Sequence, residues 1–195
     1  NTDPEYPGPP GGANGMAGGW TIIHNPNQAT PTWSTVQTIP FTFNFNGTPV
    51  SQYMVSSSGV VTFDITATAI PSYMNTTIPS SFIPDNSILV WGIRGSGAND
   101  YAVTKTFGSS GGQQHWISFA SYSMPTTGWT YWSIVLEEGS DKIYIVDQRT
   151  SGSLNITAGI QIDGSTAISV TGSPSLGSLG SNASDDADNY YYEFA

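Results

Sequence analysis

The side chains that most often carry out nucleophilic or acid–base chemistry are sparse in this sequence. Its two histidines, His24 and His115, lie far apart, and neither has a serine or a carboxylate at a suggestive spacing. A Ser-His-acid triad is assembled in space and not along the chain, so it remains an alternative at this level. The pattern favours a protein that is not a hydrolase.

Glycoside hydrolysis requires two carboxyl groups that face each other across a cleft, about 5–10 Å apart. Glu137 and Glu138 are adjacent at a predicted strand end, so their side chains point to opposite faces of the sheet. Asp64, Asp147 and Asp163 lie near other predicted strand ends, where acidic residues commonly serve as turn or cap residues. The carboxylates therefore also favour a non-enzymatic protein.

A short acidic segment near the C-terminus is the best candidate for a metal site. Asp185, Asp186, Asp188 and Asn189 offer the hard oxygen ligands that calcium takes. Their spacing is not that of an EF-hand loop, because the glycine at the sharp turn and the closing glutamate are missing. A solvated acidic turn is the alternative interpretation. No other cofactor is indicated.

Aromatic residues suggest a second kind of binding site. Trp129 and Tyr131 share one face of a predicted strand, whereas Trp132 falls on the face of Ile134 and Leu136. Flat rings can stack on sugar rings as they do on other apolar surfaces. Trp129 and Tyr131 are therefore a candidate glycan-binding platform, and ordinary packing within a β-sheet is the alternative.

Four Asn-X-Ser/Thr sequons could carry N-linked glycans on surface loops. They begin at Asn46, Asn75, Asn155 and Asn182. A chain so rich in Ser, Thr and Asn produces nearly this many sequons by chance, so the signal is weak.

The elements that must position these residues are organised around Ile39 to Asp64. Phe41, Phe43 and Phe45 alternate with polar residues, which is the pattern of a strand with one buried face. Asn46-Gly47 is a strong hairpin signal, although Pro49 predicts a loop wider than two residues. Two further short strands follow before Asp64. We expect a meander of three antiparallel strands here.

The rest of the chain continues this pattern. About ten strands with turns every eight to twelve residues, and no convincing amphipathic helix, predict an all-β antiparallel sandwich, jelly-roll-like, with Greek-key connections. We expect one core between two sheets. Its predicted members are Phe41, Phe43, Phe45, Val55, Val61, Phe63, Leu89, Trp91, Ile117, Phe119, Ile134, Leu136, Ile143 and Ile145.

Several of these segments resemble a β-sandwich module of secreted bacterial surface and adhesin proteins. Its opening reads "F-x-F-N-G" and then "V-S-S-x-G-x-x-x-F", and both occur between Ile39 and Asp64. "IPDNSILVWGI" fits its buried strand, and the segments 131–146 and 157–170 fit its closing strands. The module is also loosely similar to the nidogen-type extracellular domain of animal matrix proteins. The resemblance implies a fold and an extracellular location, and it implies little about chemistry.

Composition restricts the partners and the compartment. Four basic residues against fourteen acidic ones give a net charge of −10, which disfavours nucleic acids and anionic membrane surfaces. No apolar run is long enough to span a bilayer, so membrane insertion is not expected. The chain has no cysteine, which in a secreted protein favours a bacterial source. Because it opens at Asn1 without a methionine, we expect it to have been processed.

The first 19 residues form a Gly/Pro-rich tail without apolar periodicity, and residues 20–195 read as a single domain. Such a tail either packs along its own domain or lies on a neighbouring subunit. The second interpretation predicts a structural or adhesive subunit that forms a fibre by tail exchange with copies of itself. Tyr6 and Met16 would anchor the tail, and Tyr190, Tyr192 and Phe194 would belong to the acceptor edge. A carbohydrate-binding module of a secreted surface protein is the alternative.

Overall fold

The computed structural model describes residues 19–180 and 189–195, and these residues form twelve β-strands. The strands are β1 (Thr21–His24), β2 (Gln37–Phe45), β3 (Thr48–Val55), β4 (Val60–Thr62), β5 (Ser87–Trp91), β6 (Tyr101–Phe107), β7 (Gln114–Ser123), β8 (Trp129–Glu137), β9 (Ile143–Ser151), β10 (Thr157–Asp163), β11 (Thr166–Ser169) and β12 (Tyr190–Phe194). Within this part of the chain there is no helix, and so none with the length and hydropathy needed to cross a membrane.

The strands form two antiparallel sheets of six, which confirms the predicted β-sandwich. Sheet 1 has the order β1-β6-β7-β8-β9-β12, and sheet 2 has the order β11-β10-β5-β4-β3-β2. The chain passes between the sheets four times, after β1, β5, β9 and β11. Consequently β1 and β12 occupy opposite ends of sheet 1, and β11 is an end strand of sheet 2.

The main core lies between the two sheets and contains most of the predicted residues. Phe43, Val55, Ile117 and Ile134 are among its fully or almost fully buried members. Phe41 is only partly buried against this core. The alternation along each strand explains the result, because every second side chain points between the sheets.

Leu89 and Trp91 correct the expectation of a single core. Both are fully buried, but they belong to a separate cluster with Val60 and Ile83, on the face of sheet 2 that points away from sheet 1. The connection 64–86 reaches this face, since the Trp91 indole donates a hydrogen bond to the Ser72 carbonyl over 2.6 Å. Strand β5 is therefore buried on both faces, as its unbroken apolar pattern predicts.

The β2–β3 turn is tighter than Pro49 suggested. Phe45 pairs with Thr48, so only Asn46 and Gly47 form the turn, and both have positive φ (48° and 74°). Pro49 sits opposite Asn44, whose backbone N–H points away from β3 to the Asp141 carboxylate. Antiparallel pairs alternate between bonded and non-bonded, and Pro49 occupies a non-bonded position where no N–H is required.

Candidate functional site

The candidate site is the open seam between the end strands of the two sheets. Strand β12 closes sheet 1 and β11 closes sheet 2 within the described residues. Tyr192 and Phe194 on β12 pack partly against the main core. The β10–β11 hairpin forms the other wall, and the Asp163 carboxylate fixes its turn by accepting bonds from the Ser165 N–H (2.8 Å) and hydroxyl (2.7 Å). These bonds also lower the pKa of Asp163.

Ile168 on β11 is an inward-facing apolar residue that remains uncovered. It lies directly opposite Ile160 on β10, and directly opposed residues of an antiparallel pair share one face of the sheet. Ile160 belongs to the core and is 8% exposed, whereas Ile168 is 52% exposed. The inner face of sheet 2 therefore extends beyond the cover that sheet 1 provides.

A groove runs along this seam in two parts. One part, of about 500 Å³, is lined by apolar side chains that include Ile143, Ile162 and Phe194. The other, of about 370 Å³, lies between residues 169–171 and 192–194. An apolar floor with a polar rim is the usual character of a binding groove.

At the rim of the larger part, hydrogen bonds join the β2–β3 hairpin to the β8–β9 hairpin. Asp141, in the β8–β9 turn, accepts hydrogen bonds of 2.8 Å from both the backbone N–H and the side-chain amide of Asn44. Asp141 has a φ of 56°, a conformation that aspartate tolerates in turns. The two hairpins are thus fixed relative to each other at this end of the groove.

Two polar groups, the Tyr192 hydroxyl and the Asp147 carboxylate, are buried beside β12. The Tyr192 hydroxyl is buried without a hydrogen-bond partner, and burial, followed by the nearby Asp147 carboxylate, raises the pKa of Tyr192. Asp147 is fully buried and accepts bonds from the Ser178 hydroxyl (2.7 Å) and from the backbone N–H groups of Leu179 and Gly180. Burial raises the pKa of Asp147, and these bonds oppose the rise.

On the solvent side of this edge, Lys142 and Glu193 form an ion pair of 2.8 Å, the one pair found in the described part of the chain. Their side chains are 35% and 47% exposed, so the pair contributes little to stability. It does tie β12 to the start of β9.

Trp129 and Tyr131 lie together but do not form an exposed platform. Their rings contact edge to face, with centroids 5.6 Å apart, and Tyr131 is only 6% exposed. The Arg149 guanidinium lies over the Trp129 ring, 4.8 Å from its centroid. Tyr131 is therefore not exposed for stacking, whereas Trp129 is half-buried with the Arg149 guanidinium over its ring. Trp132 is fully buried in the main core with Ile134 and Leu136, as its strand face predicts.

The sequons differ in accessibility. Asn46 and Asn155 are exposed in turns or loops. Asn75 is half-buried, and its amide nitrogen donates to the Thr157 hydroxyl (3.1 Å) and the Pro174 carbonyl (2.7 Å). A glycan on that nitrogen would displace at least one of these bonds, so Asn75 is a poor acceptor in the folded protein.

Several predicted site residues lie outside the described residues. These are Tyr6, Met16, Asn182, Asp185, Asp186 and Asp188. Asn189, the last member of the proposed calcium segment, is described and immediately precedes β12. Among residues 19–180 and 189–195, no group of three or more His, Asp or Glu side chains could hold a metal ion.

Both histidines bond to neutral groups, a feature that sequence spacing did not reveal. His24 contacts the carbonyls of Asn25 (3.0 Å) and Thr32 (3.1 Å). His115 shares bonds with the hydroxyls of Tyr53 (2.8 Å) and Thr106 (2.9 Å). Through these bonds each imidazole links neighbouring parts of the fold.

A second polar cluster surrounds Asp100, which is 3% exposed. Its carboxylate accepts bonds from the Gly97 N–H (2.6 Å) and from the Ser123 N–H and hydroxyl (3.1 and 2.7 Å), and burial raises its pKa. The carboxylate therefore holds the loop before β6 against the end of β7.

A family model matches most of the chain. The model of a family described as "NIDO related" matches residues 17–195. This agrees with the nidogen-type extracellular resemblance of the sandwich segments. No curated protein and no solved structure shows a significant match to the chain.

Proposed function

Because the chain belongs to the NIDO-related family, a family of nidogen-type extracellular character, we propose that it is a non-enzymatic structural or adhesive subunit of a bacterial surface. In this proposal, copies of the chain assemble into a filament, and the segment preceding β1 of each copy docks on the β12 edge of the next.

The observation that carries the proposal is the placement of β1 and β12 at opposite ends of sheet 1. Five strand spacings of about 4.8 Å separate them, so β1, the first described strand, lies roughly 24 Å from the β12 edge. A donor and an acceptor on different surfaces make a head-to-tail contact, which propagates unless its rotation closes a ring.

The surface composition is consistent with such contacts. The chain has only four Lys and Arg residues, and lysine is a common means of keeping sheet edges from pairing with other chains. Surfaces rich in Ser, Thr and Asn can also be brought together without desolvating ions.

A carbohydrate-binding module is the alternative function, and it draws no support from the burial of Tyr131. A glycan panel titrated against Trp fluorescence would test it. No change with any glycan is the result expected under the assembly proposal.

The direct test is deletion of residues 1–18. The truncated chain should remain folded, with an unchanged far-UV circular dichroism spectrum, because the deletion removes none of the twelve strands. It should be monomeric by light scattering under conditions in which the full chain forms filaments visible by electron microscopy. Filaments formed equally well by the truncated chain would overturn the proposal.

A further inference from the structure

Resting on the proposed function, we infer that the seam between β11 and β12 receives residues 1–18 of a neighbouring copy as a seventh strand of sheet 1, lying over Ile168. The acceptor would then be a groove with two walls, formed by β11 and β12. The edge of β12 by itself would form only one of these walls.

The exposure of Ile168 carries the inference. A side chain on the inner face of a sandwich is ordinarily covered by the opposite sheet, as Ile160 is at 8% exposure. Ile168 shares that face but is 52% exposed, because sheet 1 ends at β12 within the described residues. One more strand beside β12 would cover it, since stacked sheets lie about 10 Å apart and their side chains interdigitate.

The groove is suited to alternate side chains of an extended segment. Its parts of about 500 and 370 Å³ follow one another along β12, and Phe194 lines both. In strand addition, main-chain bonds supply affinity and successive pockets accept every second side chain.

The segment 1–18 has suitable length and composition. Fully extended, 18 residues span up to about 60 Å, which is enough to reach from one copy to the next. Tyr6 and Met16 are its large apolar side chains, while its four prolines can occupy only positions where no N–H is donated to the ladder.

Cross-linking of the full-length protein tests this placement, because the chain has no native cysteine. Tyr6→Cys or Met16→Cys in one copy is mixed with Ile168→Cys in another and treated with a short bis-maleimide. Phe82→Cys replaces Ile168→Cys in the control, since Phe82 is also an exposed apolar residue (66%) but lies in the connection 64–86.

A cross-linked dimer is expected with Ile168→Cys, in clear excess over the control. A yield no greater than that of the control would overturn the inference. So would intramolecular cross-linking at high dilution in a chain that carries both Tyr6→Cys and Ile168→Cys or both Met16→Cys and Ile168→Cys, because the segment would then occupy the groove of its own copy.

A second measurement uses assembly itself. Ile168→Asp should raise the critical concentration for filament formation more than about tenfold, because docking would bury an unpaired carboxylate. Phe82→Asp should leave it unchanged. If Ile168→Asp had no effect while deletion of residues 1–18 abolished assembly, the seam would be the wrong acceptor and the proposed function would stand. If the deletion had no effect, the proposed function itself would fail.

Discussion

At the scale of single residues, the buried His115 is the clearest determinant of pH behaviour. It is 4% exposed, and its ring bonds go to hydroxyl groups of Tyr53, Thr104 and Thr106. Burial lowers the pKa of His115 from 6.5 to about 4. None of these partners carries a negative charge at neutral pH, so the neutral imidazole is the form that the folded protein accepts.

This shift predicts that His115 contributes a loss of stability on mild acidification. Above pH 6.5 the imidazole is neutral in both states. Between pH 6.5 and about 4 the unfolded chain binds a proton that the folded chain does not, so the free energy of unfolding decreases as the pH falls. The loss should reach about 3 kcal/mol near pH 4. Urea denaturation at several pH values measures it.

His115→Gln is the matched variant, because glutamine keeps hydrogen-bonding capacity but does not titrate. Whatever its stability at pH 7, it should lose less free energy of unfolding than the parent between pH 6.5 and 4.5. An identical pH dependence in both proteins would show that His115 is not the group responsible.

At the scale of elements, the long connection 64–86 is attached to the outer face of sheet 2 and is not a free loop. It reaches the outer face of sheet 2 through two indoles, with Trp91 donating to the Ser72 carbonyl (2.6 Å) and Trp33 to the Ala69 carbonyl (3.2 Å). Ile83 is buried in the same outer cluster as Trp91. A connection with few regular backbone bonds is thus held by side chains.

Trp91→Phe should therefore loosen the connection 64–86. Phenylalanine cannot donate to the Ser72 carbonyl, at a cost of about 1 kcal/mol, and its smaller ring leaves a cavity that adds to this cost. Limited proteolysis with mass spectrometry should show faster cleavage within residues 64–86. Trp33→Phe, which loses the longer bond, should have the smaller effect. Cleavage concentrated elsewhere in the chain would contradict this assignment.

Some of these elements could be predicted from the sequence, and others could not. The alternation of Phe41, Phe43 and Phe45 and the Asn46-Gly47 turn predicted a hairpin, because period and turn chemistry are local properties. Leu89 and Trp91 were assigned to the wrong core, because an unbroken apolar strand does not indicate which neighbour covers which face. The exposed inner face at Ile168 could not be predicted either, since it depends on the order of strands in both sheets.

At the scale of the whole molecule, the separation of β1 from β12 gives the proposed filament a direction. Each copy would present a donor segment at one end of sheet 1 and an acceptor groove at the other. A copy without residues 1–18 would accept a donor but could not supply one.

Such a truncated copy should act as a cap. Added to full-length protein at about one part in ten, it should shorten the filaments, as measured by electron microscopy, because growth ends wherever it is incorporated. A truncated copy that also carries Ile168→Asp should neither donate nor accept a segment. It should therefore leave the distribution of filament lengths unchanged. Equal shortening by both proteins would indicate a different contact.

The distance along the chain between paired strands has a consequence for the order of folding. In sheet 1, Thr21 pairs with Thr104 and Phe194 pairs with Ile143, so neither end of the sheet can form from local sequence. Pairings between distant segments form slowly, because the loop must close before its contacts can stabilise it. The groove has no second wall until β12 pairs with β9. A copy would therefore become able to receive its neighbour only after its own β12 had docked, which would restrict growth to folded subunits.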